Sequence, residues 1–318
     1  MTSTMSETMK AIRIHQYGGP EELVYEDAPK PTPGPGDVLV KVLAAGVNPV
    51  DWKIRAGYAK GGWPLTFPST IGFDIAGVVS AIGEGVTDWA PGDAVYADSP
   101  HPVGYAEYAV VAAPMLAKKP ESLTFVDAAS LPVAILTAWQ GVFDHGHLET
   151  GQSILIHAAS GGVGMFAVQF AHWCGAEVIG TASAHNEEFV RSLGADTFID
   201  YHAAPFEKAL TEKVDIVFDA VGVETATRSL SVIRPGGILV CIAGAPSAEE
   251  ADKHGVHLAK FMAKAGGKQL KEIGDLFDAG EFQAHVSTIF PLSEARAAHE
   301  HIQTGRTRGK IVLHIAGE

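Results

Sequence analysis

The feature that most constrains this chain is a glycine-rich turn set between a short apolar run and a helix-length apolar segment. Ser153-Ile154-Leu155-Ile156-His157 has the composition of a buried strand, Ala158-Ala159-Ser160-Gly161-Gly162-Val163-Gly164 follows it, and an apolar segment then continues to Cys174. Glycines let the main chain approach a pyrophosphate closely. The helix behind them aims unpaired N–H groups and the positive end of its dipole at the same place. Glu177-Val178-Ile179-Gly180-Thr181 supplies a second strand after the helix, completing the unit that a dinucleotide site requires.

An NAD site would carry Asp or Glu at the end of that second strand, about 20 residues past the turn, to accept the ribose 2′-hydroxyl. The chain reads Ala182-Ser183-Ala184-His185-Asn186 there, with no carboxylate. A 2′-phosphate would meet no like charge, and Ser183 and Asn186 can donate to it, so the expected cofactor is NADPH.

At 318 residues, with 47% hydrophobic and 19% charged content, the chain has room for two ordinary domains. A net charge of −14 without clustered Lys and Arg argues against nucleic acid or an anionic membrane as partner. The fourteen histidines are scattered without ligand spacing. Cys174 and Cys241 are expected to be buried and reduced, and no secretory leader or membrane-length apolar run is visible, so a cytoplasmic enzyme is expected.

The first 121 residues read as mostly β. Ala11–Ile14, Asp37–Val42, Ile75–Val79 and Ala94–Tyr96 have strand character, and four prolines between Pro29 and Gly36 exclude a helix there. From about Ser122, helical segments (Val126–Leu131, Ile135–Asp144, Glu187–Leu193, Thr225–Ile233) alternate with strand runs (Thr197–Ile199, Ile216–Phe218, Ile238–Ile242). Such alternation predicts a doubly wound parallel sheet with helices on both faces. A helix from Gly266 to Ala279, a strand Val286–Phe290, a helix Ser293–Gln303 and a strand Lys310–Ile315 close the chain.

Gly18-Gly19-Pro20, Ala45-Gly46-Val47-Asn48-Pro49-Val50-Asp51, Gly92-Asp93, Gly104-Tyr105-Ala106-Glu107-Tyr108, the glycine turn and Arg234-Pro235-Gly236-Gly237 span nearly the whole chain. On these motifs the chain resembles the zinc-free quinone oxidoreductase (zeta-crystallin-like) branch of the medium-chain dehydrogenase/reductase superfamily. The resemblance implies an α/β protein with a GroES-like catalytic domain over residues 1–121, completed by 266–318, and a Rossmann NADPH-binding domain over 122–265. It also implies a cleft holding cofactor and substrate, and a homodimer.

Zinc-dependent members of the superfamily hold the metal with a Cys, a Gly-His-Glu histidine and a second Cys. The equivalent stretches here are Gly46-Val47-Asn48 and Gly72-Phe73-Asp74, and a four-cysteine structural lobe before Gly104 is missing, so no metal is expected. Without a Lewis acid an isolated ketone is a poor acceptor, whereas a quinone or an α,β-unsaturated carbonyl spreads the charge that arrives with hydride. The resemblance places Asn48, Lys53 and Tyr58 at the nicotinamide end. Asn48 would orient substrate or ribose and Tyr58 would polarise a carbonyl or relay a proton; for Lys53 and Tyr58 a rim charge and a packed aromatic are the alternatives.

On the cofactor side the resemblance carries over to Ser160, Gly161, Gly162, Val163 and Gly164 at the pyrophosphate, and to Ser183 and Tyr201 near the adenosine phosphate. It also carries over to Thr137 near the nicotinamide ribose; Val221, Ala243 and Gly244 lie at strand ends on the ligand side. Arg308 and Lys310 are tempting phosphate partners, but Gly309–Leu313 reads first as a strand. Two other readings stay open: reduction of an enoyl thioester or another activated alkene, decided by the Gly57–Pro68 loop with Tyr58, Trp63 and Phe67, and non-catalytic NADPH binding.

Overall fold

A computed structural model describes residues 7–62 and 64–316; Trp63 lies outside the described residues. The chain divides into two compact units, residues up to Val133 together with those from Ala265 onward, and Ala134–Lys264. It passes from the first unit to the second after Val133 rather than after residue 121.

The first unit opens with β1 (Thr8–Ile14), β2 (Val24–Pro29), β3 (Asp37–Val47), helix α1 (Pro49–Arg55), β4 (Ser69–Thr70), β5 (Asp74–Ile82), β6 (Ala94–Asp98), β7 (Tyr108–Ala112), β8 (Leu116–Lys118) and α2 (Phe125–Ala129). Along β3 only Lys41 is exposed, so this strand is covered on both faces, as its unbroken apolar composition requires. Pro49 at the first turn of α1 suits its fixed φ to the helix start.

Helix α3 (Pro132–Trp139) begins in the first unit and carries the chain into the second, which contains β9 (Ser153–His157), α4 (Gly164–Trp173), β10 (Glu177–Ala182), α5 (Glu187–Ser192), β11 (Thr197–Asp200), α6 (Phe206–Ala209), β12 (Val214–Asp219), α7 (Val223–Ser229), β13 (Ile233–Cys241), α8 (Ala248–Lys253) and β14 (His257–Lys260). The six strands form one parallel sheet in the order β11-β10-β9-β12-β13-β14. The sequential order reverses between β9 and β12, and ligands of such sheets bind at the carboxyl ends beside that reversal. The helix expected over Thr225–Ile233 ends earlier, and Ile233 already belongs to β13. Cys241 is buried as expected, but Cys174, at the end of α4, is only half-buried.

The chain then returns to the first unit through α9 (Gly267–Asp278), β15 (Val286–Pro291), α10 (Ala295–Gln303) and β16 (Lys310–His314). Strand β16 pairs antiparallel with β3, Ile311 opposite Val47 and His314 opposite Ala44. One step beyond that register lie Lys310 on one side and Asn48 on the other. Among the described residues no helix is long and apolar enough to cross a membrane.

Candidate active site

The register of β16 on β3 builds a buried polar cluster in the first unit. Lys310 Nζ donates to Asn48 Oδ1 and stands 3.5 Å from Asp74 Oδ2, while Asn48 Nδ2 donates to the same Asp74 oxygen at 2.7 Å. The other Asp74 oxygen accepts the main-chain N–H of Val133 at 2.7 Å. Asn48, Asp74 and Lys310 are all buried. Gly46 makes room for this arrangement, because a Cβ there would come within 2.7 Å of Asp74 Oδ2 and 2.4 Å of the Ala129 carbonyl oxygen. Burial pushes the Asp74 carboxyl up, against the pull of Lys310, Asn48 and Val133.

A second line of hydrogen bonds leads away from Asn48. Its main-chain N–H donates to Asp51 Oδ2 at 2.7 Å, which also accepts the Tyr105 hydroxyl at 2.9 Å. Tyr105 meets His299 Nε2 at 3.2 Å, and His299 Nδ1 meets Arg55 Nη1 at 3.1 Å. A guanidinium only donates, so Nδ1 is the acceptor and the proton of the neutral imidazole sits on Nε2. The direction is thereby fixed along the whole line: Arg55 to His299, His299 to Tyr105, Tyr105 to Asp51. Burial, with Arg55 adding to it, pushes His299 down to about 3, and burial pushes Asp51 up to about 7 against the N–H of Asn48 and the Tyr105 hydroxyl. Asp51 Oδ1 is buried without a hydrogen-bond partner among the described residues.

Lys53 and Tyr58 do not join this network. Lys53 is half-buried on α1 with its ammonium 5.9 Å from the Trp52 ring centre, and Tyr58, 77% exposed, stands edge-on to the same indole at 5.9 Å. Asn48 is therefore brought together with Asp51 and Asp74, which stand in the stretches quoted with it in the sequence, and with Lys310, which the sequence set apart from them. Lys310 is no surface phosphate partner; it is buried in β16.

In the second unit the glycine turn joins β9 to α4. Ala158 takes a positive φ of 55°, and Gly164 lies so close beneath it that a Cβ would stand 2.1 Å from the Ala158 carbonyl oxygen. Ser160 is buried, and Gly161, Gly162 and Val163 are half-buried. At the ends of β10 and β11, Ser183 Oγ and the Tyr201 hydroxyl lie 2.9 Å apart, with Tyr201 half exposed and its ring tilted against His202 at 4.2 Å. Asn186 is buried.

Val221 and Ala243 are exposed just past the ends of β12 and β13, and Gly244 beside them has a φ of 148°. They share the carboxyl end of the sheet with the glycine turn, while Thr137 is buried in α3. Asp219, the last residue of β12, accepts the N–H groups of Val221 and Gly222 at 3.1 and 2.8 Å; burial pushes its carboxyl up to about 6. Burial, with the Asp219 charge next, pushes the Cys241 thiol up to about 12, which makes it inert.

A glycine turn on this strand order, in a chain that also carries a separate β unit with a buried polar cluster, is the architecture of a nicotinamide-dependent oxidoreductase. The alcohol dehydrogenase GroES-like domain matches residues 34–121 and the zinc-binding dehydrogenase domain matches residues 193–313. The chain is 36% identical over 325 residues to the chloroplastic NADPH-dependent alkenal/one oxidoreductase of Arabidopsis thaliana, covering 98% of this chain and 81% of that protein. Among solved structures, the quinone oxidoreductase of Coxiella burnetii superposes with a TM-score of 0.90 at 35% identity, over 98% of this chain and all of the other. A mycobacterial protein complexed with NADPH superposes with a TM-score of 0.87 at 30% identity, over 96% and 99% of the two chains. The chain belongs to the medium-chain dehydrogenase/reductase family, alongside its quinone and alkenal/one oxidoreductases.

The zinc implied by one domain's description does not fit these residues. Asn48 and Phe73 stand where cysteine and histidine ligands would be, Asn48 Oδ1 is spent on an ammonium, and no three His, Cys, Asp or Glu converge as a ligand set among the described residues.

Proposed function

We propose that this protein reduces quinones or α,β-unsaturated carbonyl compounds with hydride from NADPH, and that it does so without zinc. The observation that carries the proposal is the Asn48–Asp74–Lys310 cluster: the stretch that supplies metal ligands in zinc-dependent relatives is closed by hydrogen bonds between side chains. An acceptor that delocalises its own developing charge suits such a site, because hydrogen-bond donors suffice for it. NADPH supplies a hydride to the conjugated acceptor, the nicotinamide is oxidised, and a proton from water completes the product.

Ser160, Gly161, Gly162, Val163 and Gly164 would hold the pyrophosphate, Ser183 and Tyr201 the 2′-phosphate, and Thr137, Val221, Ala243 and Gly244 the nicotinamide half. The preference for NADPH is supported by the Ser183–Tyr201 hydroxyl pair standing where an NAD site has a carboxylate. Asn48 would serve the acceptor, with Lys53 and Tyr58 at its rim. A cytoplasmic homodimer is part of the proposal, since both cysteines are free thiols and β14 ends its sheet with one edge unpaired among the described residues.

The test is NADPH oxidation with 1,4-benzoquinone and with a simple enone, before and after dialysis against a chelator. Turnover that survives the chelator and prefers NADPH to NADH is expected. Binding of NADPH without turnover on a panel of such acceptors, or activity restored only by zinc, would overturn it.

A further inference from the structure

We propose that Lys310 and Asp74 are positioning residues that clamp the Asn48 carboxamide in a single orientation, leaving its second N–H to donate to the acceptor oxygen that gains charge on hydride addition. The inference deepens the reductase reading above and rests on it for the identity of the acceptor.

A carboxamide has two chemically different ends that differ little in shape, and only its neighbours decide which way it faces. Here the neighbours leave no choice. An ammonium only donates, so the atom facing Lys310 must be the amide oxygen. An ionised carboxylate only accepts, so the atom facing Asp74 Oδ2 must be the amide nitrogen. A flipped Asn48 would set NH₂ against the ammonium and oxygen against the carboxylate, losing both bonds and creating two repulsions. Asp74, Asn48 and Lys310 are 0%, 3% and 3% exposed, so water does not compete for these bonds and both are at full strength.

The three side chains are held from separate parts of the unit. Asn48 follows β3, Lys310 is fixed by the pairing of β16 on β3, and Asp74 opens β5 with its other oxygen tied to the Val133 N–H. A lone buried lysine or aspartate at either place would be costly; together they neutralise each other and need the amide between them. Asn48 spends its oxygen on Lys310 and one Nδ2 hydrogen on Asp74. Its second Nδ2 hydrogen makes no hydrogen bond among the described residues, so a donor of fixed direction is left over. A preorganised donor of this kind favours a charge that develops during reaction, because nothing has to reorient when the charge appears.

The experiment uses the full chain and its K310M, K310R, N48A and N48A/K310M variants. The first readout needs no turnover: solvent exchange of the Asn48 side-chain N–H pair in ¹⁵N-labelled protein without cofactor, assigned by its absence in N48A. We expect K310M to speed that exchange by about tenfold or more and K310R to restore part of the protection. Unchanged exchange in K310M overturns the clamp.

The second readout is kinetic, with NADPH and 1,4-benzoquinone. K310M should lower kcat by about 10- to 100-fold with the NADPH KM within about twofold, and should change kcat by less than about twofold in the N48A background, since both act through one group. Retained kcat in K310M, or effects that multiply in the double variant, refutes a role through Asn48. If K310M fails to fold, K310M/D74L removes both charges at once, a replacement that buried ion pairs tolerate. It should lose both protection and kcat, and keeping both would sink the proposal. If the wild-type protein turns over no quinone or enone, the reductase reading fails, and the exchange experiment alone decides whether the clamp exists.

Discussion

Gly164→Ala probes the glycine turn through stability and cofactor binding together. An alanine Cβ would stand 2.1 Å from the Ala158 carbonyl oxygen, 2.8 Å from its carbonyl carbon and 3.0 Å from Ala159 Cα. All three are main-chain atoms, so no rotamer change relieves the overlap, and the turn must open by roughly 1 Å at a typical overpacking cost of about 1–3 kcal/mol. Alanine returns up to about 1 kcal/mol through its better helix propensity. At the middle of that range overlap outweighs it by about 1–2 kcal/mol, which at about 2–4 °C per kcal/mol lowers Tm by about 2–8 °C. Opening the turn also displaces the N–H groups proposed to face the pyrophosphate, so NADPH affinity should fall by about tenfold or more. Gly161→Ala is the control: its Cβ would meet the Ala158 oxygen at 3.2 Å, and Tm should stay within about 2 °C of wild type. Circular-dichroism melts and NADPH fluorescence titration give both readings. A Gly164→Ala protein that melts at or above the wild-type temperature and binds NADPH as before would refute the tight-turn argument.

Three further perturbations follow from the buried groups and the strand ends. His157, held between Thr181 and Ser229 at 3.0 Å each, is pushed down to about 4 by burial and then by Arg228. Because its folded value lies below the unfolded one near 6.5, its contribution is whole above that value and is lost as pH falls through about 4, a swing of about 3 kcal/mol. Urea unfolding at pH 7, 5.5 and 4.5 should show that loss, and His157→Gln should flatten it. Tyr105→Phe removes the donor to Asp51 and leaves the buried His299 N–H unpaired, which should cost about 1–3 kcal/mol by the same unfolding assay, with no effect expected on NADPH affinity. Ser183→Asp puts a carboxylate beside the Tyr201 hydroxyl and should lower the NADPH-to-NADH affinity ratio by about tenfold; an unchanged ratio means that the 2′-phosphate lies elsewhere.

The parts of this protein that were legible in the sequence are those written in local chemistry. The apolar run before Ala158, the glycines after it and the β-branched strands announce the parallel sheet, because each signal needs only its own neighbours. Strand β14, His257–Lys260, was not foreseen: four mixed residues at a sheet edge bury too little to impose a pattern. The polar cluster was hidden for a different reason. Asn48 was singled out by what it replaces, but its partners Asp74 and Lys310 lie 26 and 262 residues away. Lys310 sits in the run Gly309-Lys310-Ile311-Val312-Leu313, where a lysine beside a strand reads as a solvated charge. What turns that charge inward is the pairing of β16 with β3, a fact of register that no window around residue 310 contains. The one local hint was Gly46. A strand glycine just before Val47 marks a place where another group comes close, and that group is the Asp74 carboxylate. A strand glycine at such a place thus points to a side chain packed closely against it, and a carboxylate buried there needs a counter-charge. Lys310 is that charge.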